Sequence, residues 1–340
     1  MLFRRICGID LGTDTIKISD KNEKLLVCEK NMIAIRNRIH VIAIGNGAFD
    51  IYEKAPACVE AGSPMAGGVI ADAGNLELLL TGLLRQFSTL FCKHPDLLFT
   101  APTEISEVER RAFYQICSGK IKAKRVALID KGVADAVGIG MPMDAAEGNM
   151  IVNLGASGTE ISVISEGKVI VGRKLGIGGA KMDEDIATMV YRQFHLHIGS
   201  KTAELLKNQL ASVQNIPDRQ MQVFGIHTVS GLPRDAVIPA LSVSVAIIEA
   251  LETIVEGIRT TLERTPPQLL ADIRKNGIYL TGGVSQLPYL AEYFGKELDI
   301  PVYNVVEPAF STVRGLVQVM NDKELQKLTY SLRDFAGNTI

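Results

Sequence analysis

Apolar and polar positions along the chain fall into two patterns, one alternating residue by residue and one recurring at helical spacing. Near the N-terminus, Gly8-Ile9-Asp10-Leu11-Gly12-Thr13-Asp14-Thr15-Ile16-Lys17-Ile18 reads as an apolar strand, a turn of small and hydroxyl residues, and a second strand of alternating polarity. Near the middle, Ile151-Val152-Asn153-Leu154-Gly155-Ala156-Ser157-Gly158-Thr159-Glu160-Ile161-Ser162-Val163 repeats that plan. Both segments predict β-hairpins. A third glycine cluster, Thr281-Gly282-Gly283-Val284-Ser285, follows an apolar strand and precedes a helix-like segment that begins near Leu287. The most apolar long run, Ala236 to Val255, is interrupted by Pro239, Glu249 and Glu252, whereas a membrane span needs about 20 mostly apolar residues. Val243, Ile247, Ile248, Leu251, Ile254, Val255 and Ile258 recur at helical spacing and predict a packed core helix.

Length and composition narrow the picture. A chain of 340 residues exceeds the size at which one core stops growing, so two lobes are expected. With a net charge of −2 it has no electrostatic footprint for nucleic acid, which is excluded as a partner. The cysteines Cys7, Cys28, Cys58, Cys92 and Cys117 are scattered and never form a CxxC pair, as expected of reduced thiols in a cytosolic protein. Residues 1–7 carry two arginines but too short an apolar stretch for a signal peptide.

The chemistry that suits the repeated hairpin is phosphate binding. Glycine and small residues let backbone N–H groups approach an anion, and Thr or Ser hydroxyls add donors. Asp10, just before the first turn, is placed to hold Mg²⁺ through water. One glycine hairpin is ordinarily only a turn; two copies half a chain apart point to two similar lobes, each with a phosphate loop. Glycine at the strand-to-helix turn of 282–283 permits close approach of a planar or anionic ligand. His195 and His197, without a third ligand in range, read as a half-exposed surface and not as a metal site.

The order hairpin, hairpin, Thr-Gly-Gly resembles the actin, heat-shock chaperone and sugar-kinase superfamily, and finer motifs resemble the MreB-like bacterial actins. Gly68-Val69-Ile70-Ala71-Asp72 is similar to that family's GVIAD, and the stretch from Ala101-Pro102-Thr103-Glu104 through Glu109-Arg110-Arg111-Ala112 to its VPxxxTxVERRA. Ile198-Gly199-Ser200-Lys201-Thr202-Ala203-Glu204 resembles IGxxTAE; Ser230-Gly231-Leu232-Pro233 and Thr265-Pro266-Pro267-Gln268-Leu269-Leu270-Ala271-Asp272-Ile273 complete the series. The resemblance covers nearly the whole chain. It implies an α/β, actin-like ATPase fold of two lobes with ribonuclease-H-like cores, each with a smaller inserted subdomain. The implied division is 1–32 and 70–136 (IA), 33–69 (IB), 137–177 and 245–340 (IIA), and 178–244 (IIB). It further implies ATP and Mg²⁺ as cofactors. Gly12, Thr13, Asp14 and Thr15 would line the first phosphate loop, and Gly155, Ala156, Ser157, Gly158 and Thr159 the second. Lys201, Thr202, Ala203, Glu204 and Lys207 would lie near ribose and base, and Gly282, Gly283, Val284 and Ser285 against adenosine. Glu204 and Lys207, three apart on a predicted helix, share a face.

Departures from the family pattern fall on the hydrolytic chemistry. The second hairpin of the family reads D-x-G-G-G-T-T; here Asn153 replaces the aspartate, and Gly158 the threonine that helps to position water. The family's catalytic glutamate opens E-P-x-A-A-A-I-G-A-G-L-P, and the matching residue is Lys131. Orienting a water for attack on a γ-phosphate takes an acceptor, and an ammonium has only donors. Asp130, Asp135 and Thr159 are the neighbours that offer replacements. The expectation is therefore a membrane-associated filament protein with impaired hydrolysis, cytoplasmic and peripheral to the inner membrane, that organises cell-wall synthesis and rod shape. Implied partners are itself or MreB paralogues, the membrane surface and the wall-elongation machinery. The alternatives are a nucleotide-locked regulator that copolymerises with an active paralogue, or another ATPase or kinase of the superfamily. Leu90 and Phe91 are the expected membrane-inserting pair, with Leu2-Phe3 beside Arg4-Arg5 as a second anchor.

Overall fold

The structure, a computed structural model, describes residues 6–22, 25–86, 95–102 and 105–331. The chain opens with a meander of β1 (Ile6–Leu11), β2 (Thr15–Asp20) and β3 (Leu25–Lys30), followed by β4 (Ile33–Arg36), β5 (His40–Ile44), α1 (Asn46–Ile51) and β6 (Val59–Gly62). A short pair, β7 (Met65–Ala66) and β8 (Val69–Ile70), leads into α2 (Ala73–Arg85), β9 (Asp96–Ala101), α3 (Glu107–Ser118), β10 (Arg125–Asp130) and α4 (Lys131–Gly138). A second meander follows: β11 (Asn149–Leu154), β12 (Thr159–Ser165) and β13 (Lys168–Leu175). Next come α5 (Gly179–Phe194), β14 (Leu196–His197), α6 (Ser200–Leu210), β15 (Gln220–His227) and β16 (Pro233–Pro239). The remainder comprises α7 (Ala240–Ala246), α8 (Ile248–Arg264), α9 (Pro267–Asn276), β17 (Ile278–Thr281), α10 (Leu290–Leu298), β18 (Val302–Asn304), α11 (Ser311–Asn321) and β19 (Tyr330–Ser331).

These elements fall into two units. The first comprises Met1–Ala146, Ile164–Gly172 and Ala309–Ile340; the second comprises Glu147–Val163 and Arg173–Pro308. The first holds a six-stranded sheet in the order β19-β10-β9-β1-β2-β3. In it β1 runs parallel to β9 and β9 to β10, while β1, β2 and β3 form an antiparallel meander. The five-stranded sheet β13-β12-β11-β17-β18 repeats the plan, with β11, β17 and β18 parallel. Each large sheet thus begins with a glycine hairpin and extends by parallel strands. A small sheet, β5-β4-β6, lies within the first unit and another, β14-β15-β16, within the second.

Several motif residues prove to be local folding signals. Asp72 caps α2 by accepting from the amide of Asn75 at 2.9 Å, and Ser106 and Glu109 form a reciprocal capping box at the start of α3. Asp272 accepts from the amide of Gly148 at 2.9 Å and ties α9 to the start of the second meander. Gly231, with φ +68°, turns β15 into β16.

The core of the first unit packs Ile9, Ile16, Ile18, Leu79, Leu83 and Phe99, all fully buried. Beside it α4 and α11 cross at backbone distance. A Cβ on Gly138 would stand 2.0 Å from the Ser311 carbonyl, and one on Gly315 1.8 Å from that of Ala134. A hydrogen bond from Thr312 Oγ1 to the fully buried Asp135 carboxylate, 2.7 Å, spans the same crossing.

The apolar run 236–255 differs from its expected single helix. Ala236 to Pro239 finish β16, and the helical part breaks at Ile247 between α7 and α8. Proline has no N–H for a helix interior, so no helix runs through Pro239, which caps the start of α7. Val243, Ile247, Leu251, Ile254, Val255 and Ile258 are buried, as their spacing predicts, whereas Ile248 is half-buried. After the third glycine cluster the chain makes a short 3₁₀ turn at Gly283–Gln286, and the helix begins only at Leu290, past Pro288.

Candidate nucleotide-binding hairpins

In the first unit β1 ends Asp10-Leu11 and turns through Gly12 to Asp14 into β2. The turn is tight enough that a Cβ on Gly12 would lie 2.5 Å from the Thr15 carbonyl. Asn31, fully buried, ties the turn down: its Nδ2 donates to the Gly12 carbonyl at 2.8 Å and its amide to the Asp14 carbonyl at 2.7 Å. In a trans peptide the N–H lies opposite the C=O, so the amides of Thr13 and Thr15 point away from Asn31. Asp14 accepts from the Thr15 hydroxyl at 2.7 Å and from Lys30 Nζ at 2.8 Å, and Lys30 also sits 4.6 Å from the Phe49 ring centre.

Asp10 is buried and stands opposite Lys17 in the hairpin register. Its carboxylate lies 3.6 Å from Lys17 Nζ, and the Thr100 hydroxyl donates to it at 3.4 Å. Lys17 is also nearly buried, with its ammonium 5.7 Å from the Phe310 ring centre. Lys131 is the first residue of α4 and half-buried, and a cation there opposes the helix dipole. Asp135 is spent on Thr312 in the core of the α4–α11 crossing. Asp130 accepts from Tyr330 at 3.2 Å, and burial, then the Asp130 charge, pushes that phenol well above its usual 10.0.

In the second unit Asn153 and Leu154 end β11 at the corresponding places, and Asn153 is buried opposite Thr281 of β17. The Gly155 amide donates to the Gly158 carbonyl at 2.9 Å, closing the turn. The start of α5 docks on it: the amides of Gly179 and Ala180 donate to the carbonyls of Gly155 (3.0 Å) and Ala156 (2.8 Å). By the same trans-peptide geometry the amides of Ala156 and Ser157 point away from α5. Thr159 is fully buried and donates to the Ile177 carbonyl at 2.8 Å. Its hydroxyl therefore serves the loop before α5.

Lys201, Thr202, Ala203, Glu204 and Lys207 all lie on α6. Glu204 is half-buried, but Lys207 is buried, donating to the Gly179 carbonyl at 2.9 Å and pairing with Asp183 of α5 at 2.8 Å. Its ammonium braces the start of α5 from within. Gly282, with φ +86°, has no room for a Cβ, which would lie 2.4 Å from the Leu154 carbonyl. Ser285 Oγ donates to the Gly282 carbonyl at 2.7 Å, and Val284 stands 3.1 Å from a Cβ built on Gly179. The second unit thus brings Gly155 to Gly158, Gly179, Lys207 and Val284 into one cluster.

The sequence reading missed Lys17, Asp183 and the pair Gly178-Gly179. Hairpin register would have found Lys17, since Asp10 and Lys17 face each other across the turn. A glycine pair directly before a helical pattern was the available signal for the others. Leu90, Phe91, Leu2 and Phe3 lie outside the described residues. Among the described residues no helix is long and apolar enough to cross a membrane. His195 and His197 are exposed, and no group of three or more metal-ligating side chains occurs among the described residues.

The donor set does not fit the expected Mg²⁺. A hydrated Mg²⁺ takes its protein charge from one or two carboxylates. In the first hairpin Asp10 and Asp14 are each already paired with a lysine, and in the second Asn153 offers a neutral carboxamide.

The family model for MreB/Mbl proteins matches residues 4–328. The chain is 34% identical to the cell shape-determining protein Mbl of Bacillus subtilis, over 90% of this chain and 93% of that protein. It is 33% identical to the cell shape-determining protein MreB of Escherichia coli, over 92% of each. MreB5 of Spiroplasma citri, solved bound to AMPPNP and bound to ADP, matches with a TM-score of 0.89 at 27% identity, covering 96% of this chain and 98% of that one. The fold is also that of a MamK double helical filament, with a TM-score of 0.77 at 20% identity over 94% and 99% of the two chains.

Proposed function

The chain belongs to the MreB/Mbl family of actin-like proteins, and from that premise we propose that it is a cytoskeletal protein that binds ATP, assembles into filaments and hydrolyses the nucleotide slowly or not at all. One observation carries the last clause: Lys131 opens α4 where the family has its catalytic glutamate, while Asp135 and Thr159 are both committed to internal hydrogen bonds. Asp135 and Thr159 are also fully buried, and an ammonium has only donors, so none of the three positions presents an exposed acceptor to orient a water. Nucleotide binding is supported by the outward-facing amides of both hairpins and by MreB5, which has been solved with two nucleotides. The four-subdomain division, and a membrane-peripheral location through Leu90 and Phe91 with a role in cell-wall synthesis and rod shape, belong to the same reading.

Phosphate release and nucleotide binding on the purified chain test it. The expected result is ATP binding with release at background, raised at least about tenfold by Lys131→Glu. Ordinary family turnover, unaffected by Lys131→Glu, would sink the idea of a blocked hydrolytic site. The same three positions, Lys131, Asn153 and Gly158, favour a second reading, a regulator that copolymerises with an active paralogue. Sedimentation of the chain alone, against sedimentation only in a paralogue's presence, separates the two.

A further inference from the structure

We propose that this chain holds its nucleotide without a divalent cation, the charge of the triphosphate being met by the ammonium groups of Lys17 and Lys131. The inference rests on the nucleotide-binding reading and adds to it the identity of the counter-charge.

Both lysines belong to the first unit, at one edge of its sheet. Strands β1, β9 and β10 are parallel neighbours, so their C-terminal ends open on the same side, where α/β sheets bind ligands. Asp10 is level with Thr100, which reaches it, and Lys131 begins α4 where β10 ends. Lys17 stands on β2, three strand spacings or about 14 Å from the end of β10, a span that a lysine stem from each side can largely close. Lys17 is held at the base of the turn, nearly buried between Asp10 and the Phe310 ring. Such a desolvated ammonium meets a phosphate oxygen at lower cost than a hydrated one.

Charge counting points the same way. Against the family pattern, the glutamate-to-lysine change at 131 adds two positive charges to the first unit. A divalent ion brought with the nucleotide would therefore enter a site already enriched in positive charge. The carboxylate expected to hold the ion, Asp10, is matched by a tethered lysine 3.6 Å away, and like charges would repel.

Titration of the full chain with AMPPNP, in excess MgCl₂ and in excess EDTA, decides it. The expected dissociation constants agree within about threefold, Lys17→Met weakens binding in EDTA by about tenfold or more, and Lys17→Arg restores it. Asp10→Asn, which removes the carboxylate expected to hold the metal while keeping its shape, is expected to leave the affinity in EDTA unchanged or tighter. Binding in MgCl₂ that weakens tenfold or more on chelation, and is lost in Asp10→Asn, overturns the proposal while leaving nucleotide binding intact. Failure to bind AMPPNP in either condition overturns the nucleotide reading itself, and this inference with it. Circular dichroism of each variant separates lost binding from lost folding.

Discussion

In the first hairpin Gly12 turns so sharply that a Cβ would meet the carbonyl three residues on; in the second Gly155 does the same with Gly158. Each turn follows a polar residue and a leucine, Asp10-Leu11 in one and Asn153-Leu154 in the other. What holds the two turns differs. Around the first, besides the Asn31 bonds to the Gly12 and Asp14 carbonyls, are two carboxylate–lysine pairs, Asp10 with Lys17 and Asp14 with Lys30. Around the second the fastening is peptide to peptide, with α5 donating its first amides to the turn and Gly178 packed against it. Charged side chains can be rearranged by a ligand, whereas a backbone contact without room for a methyl group cannot. The first hairpin thus carries the adjustable fastenings of the pair, and the second is the more rigid half.

The largest effect is expected where that rigidity is attacked. A Cβ on Gly178 would stand 2.5 Å from the Gly155 carbonyl, 2.7 Å from that of Ala156 and 2.7 Å from the Gly158 amide. Backbone atoms cannot swing aside as side chains do, so Gly178→Val should cost about 3 kcal/mol or more in urea unfolding, and should abolish AMPPNP binding. A loss below about 1 kcal/mol would mean that the second turn is as adjustable as the first.

An intermediate effect is expected at Lys207. Its ammonium joins the Gly179 carbonyl and the Asp183 carboxylate beneath the start of α5, with 9% of its side chain exposed and 16% of that of Asp183. Lys207→Met keeps the stem but strands a largely buried carboxylate, for a loss of about 2–3 kcal/mol. Asp183→Asn combined with Lys207→Met should recover part of it, because no charge is then left uncompensated. If Lys207→Met leaves stability untouched and only weakens nucleotide binding, the lysine is a ligand contact and not a brace.

That contrast also shows what the sequence could and could not tell. The hairpins were legible because strand alternation, glycine and small residues lie next to one another in the chain, and the core positions of α7 and α8 because helical spacing marks a buried face. The break at Ile247 and the delayed start of α10 were less legible, since apolar residues on both sides continue the same spacing. For Lys207 the helix face told which residues are its neighbours, not that it also braces the start of α5. Its partner Asp183 lies 24 positions earlier on another helix, beyond any local pattern. Asp135 looked like a replacement carboxylate for the same reason: only the crossing of α4 and α11 reveals that Thr312 occupies it. Local geometry was therefore legible, and commitments made through tertiary packing were not.

The smallest effect is expected at the outermost charge pair. Asp14 keeps 41% of its side chain in solvent, and Lys30 also has the Phe49 ring beside it. An exposed pair of this kind contributes about 0.2–1 kcal/mol, screened by salt. Asp14→Asn retains the oxygen that accepts from the Thr15 hydroxyl and should lower the midpoint of urea unfolding only slightly. The deficit should shrink when the measurement is repeated in high salt. Because the substitution also removes a negative charge from the turn, AMPPNP binding should hold or tighten even as stability falls. A drop comparable to that of Gly178→Val would instead show that the charge pairs fasten the first turn as firmly as the backbone fastens the second, and the distinction between an adjustable and a rigid hairpin would have to be given up.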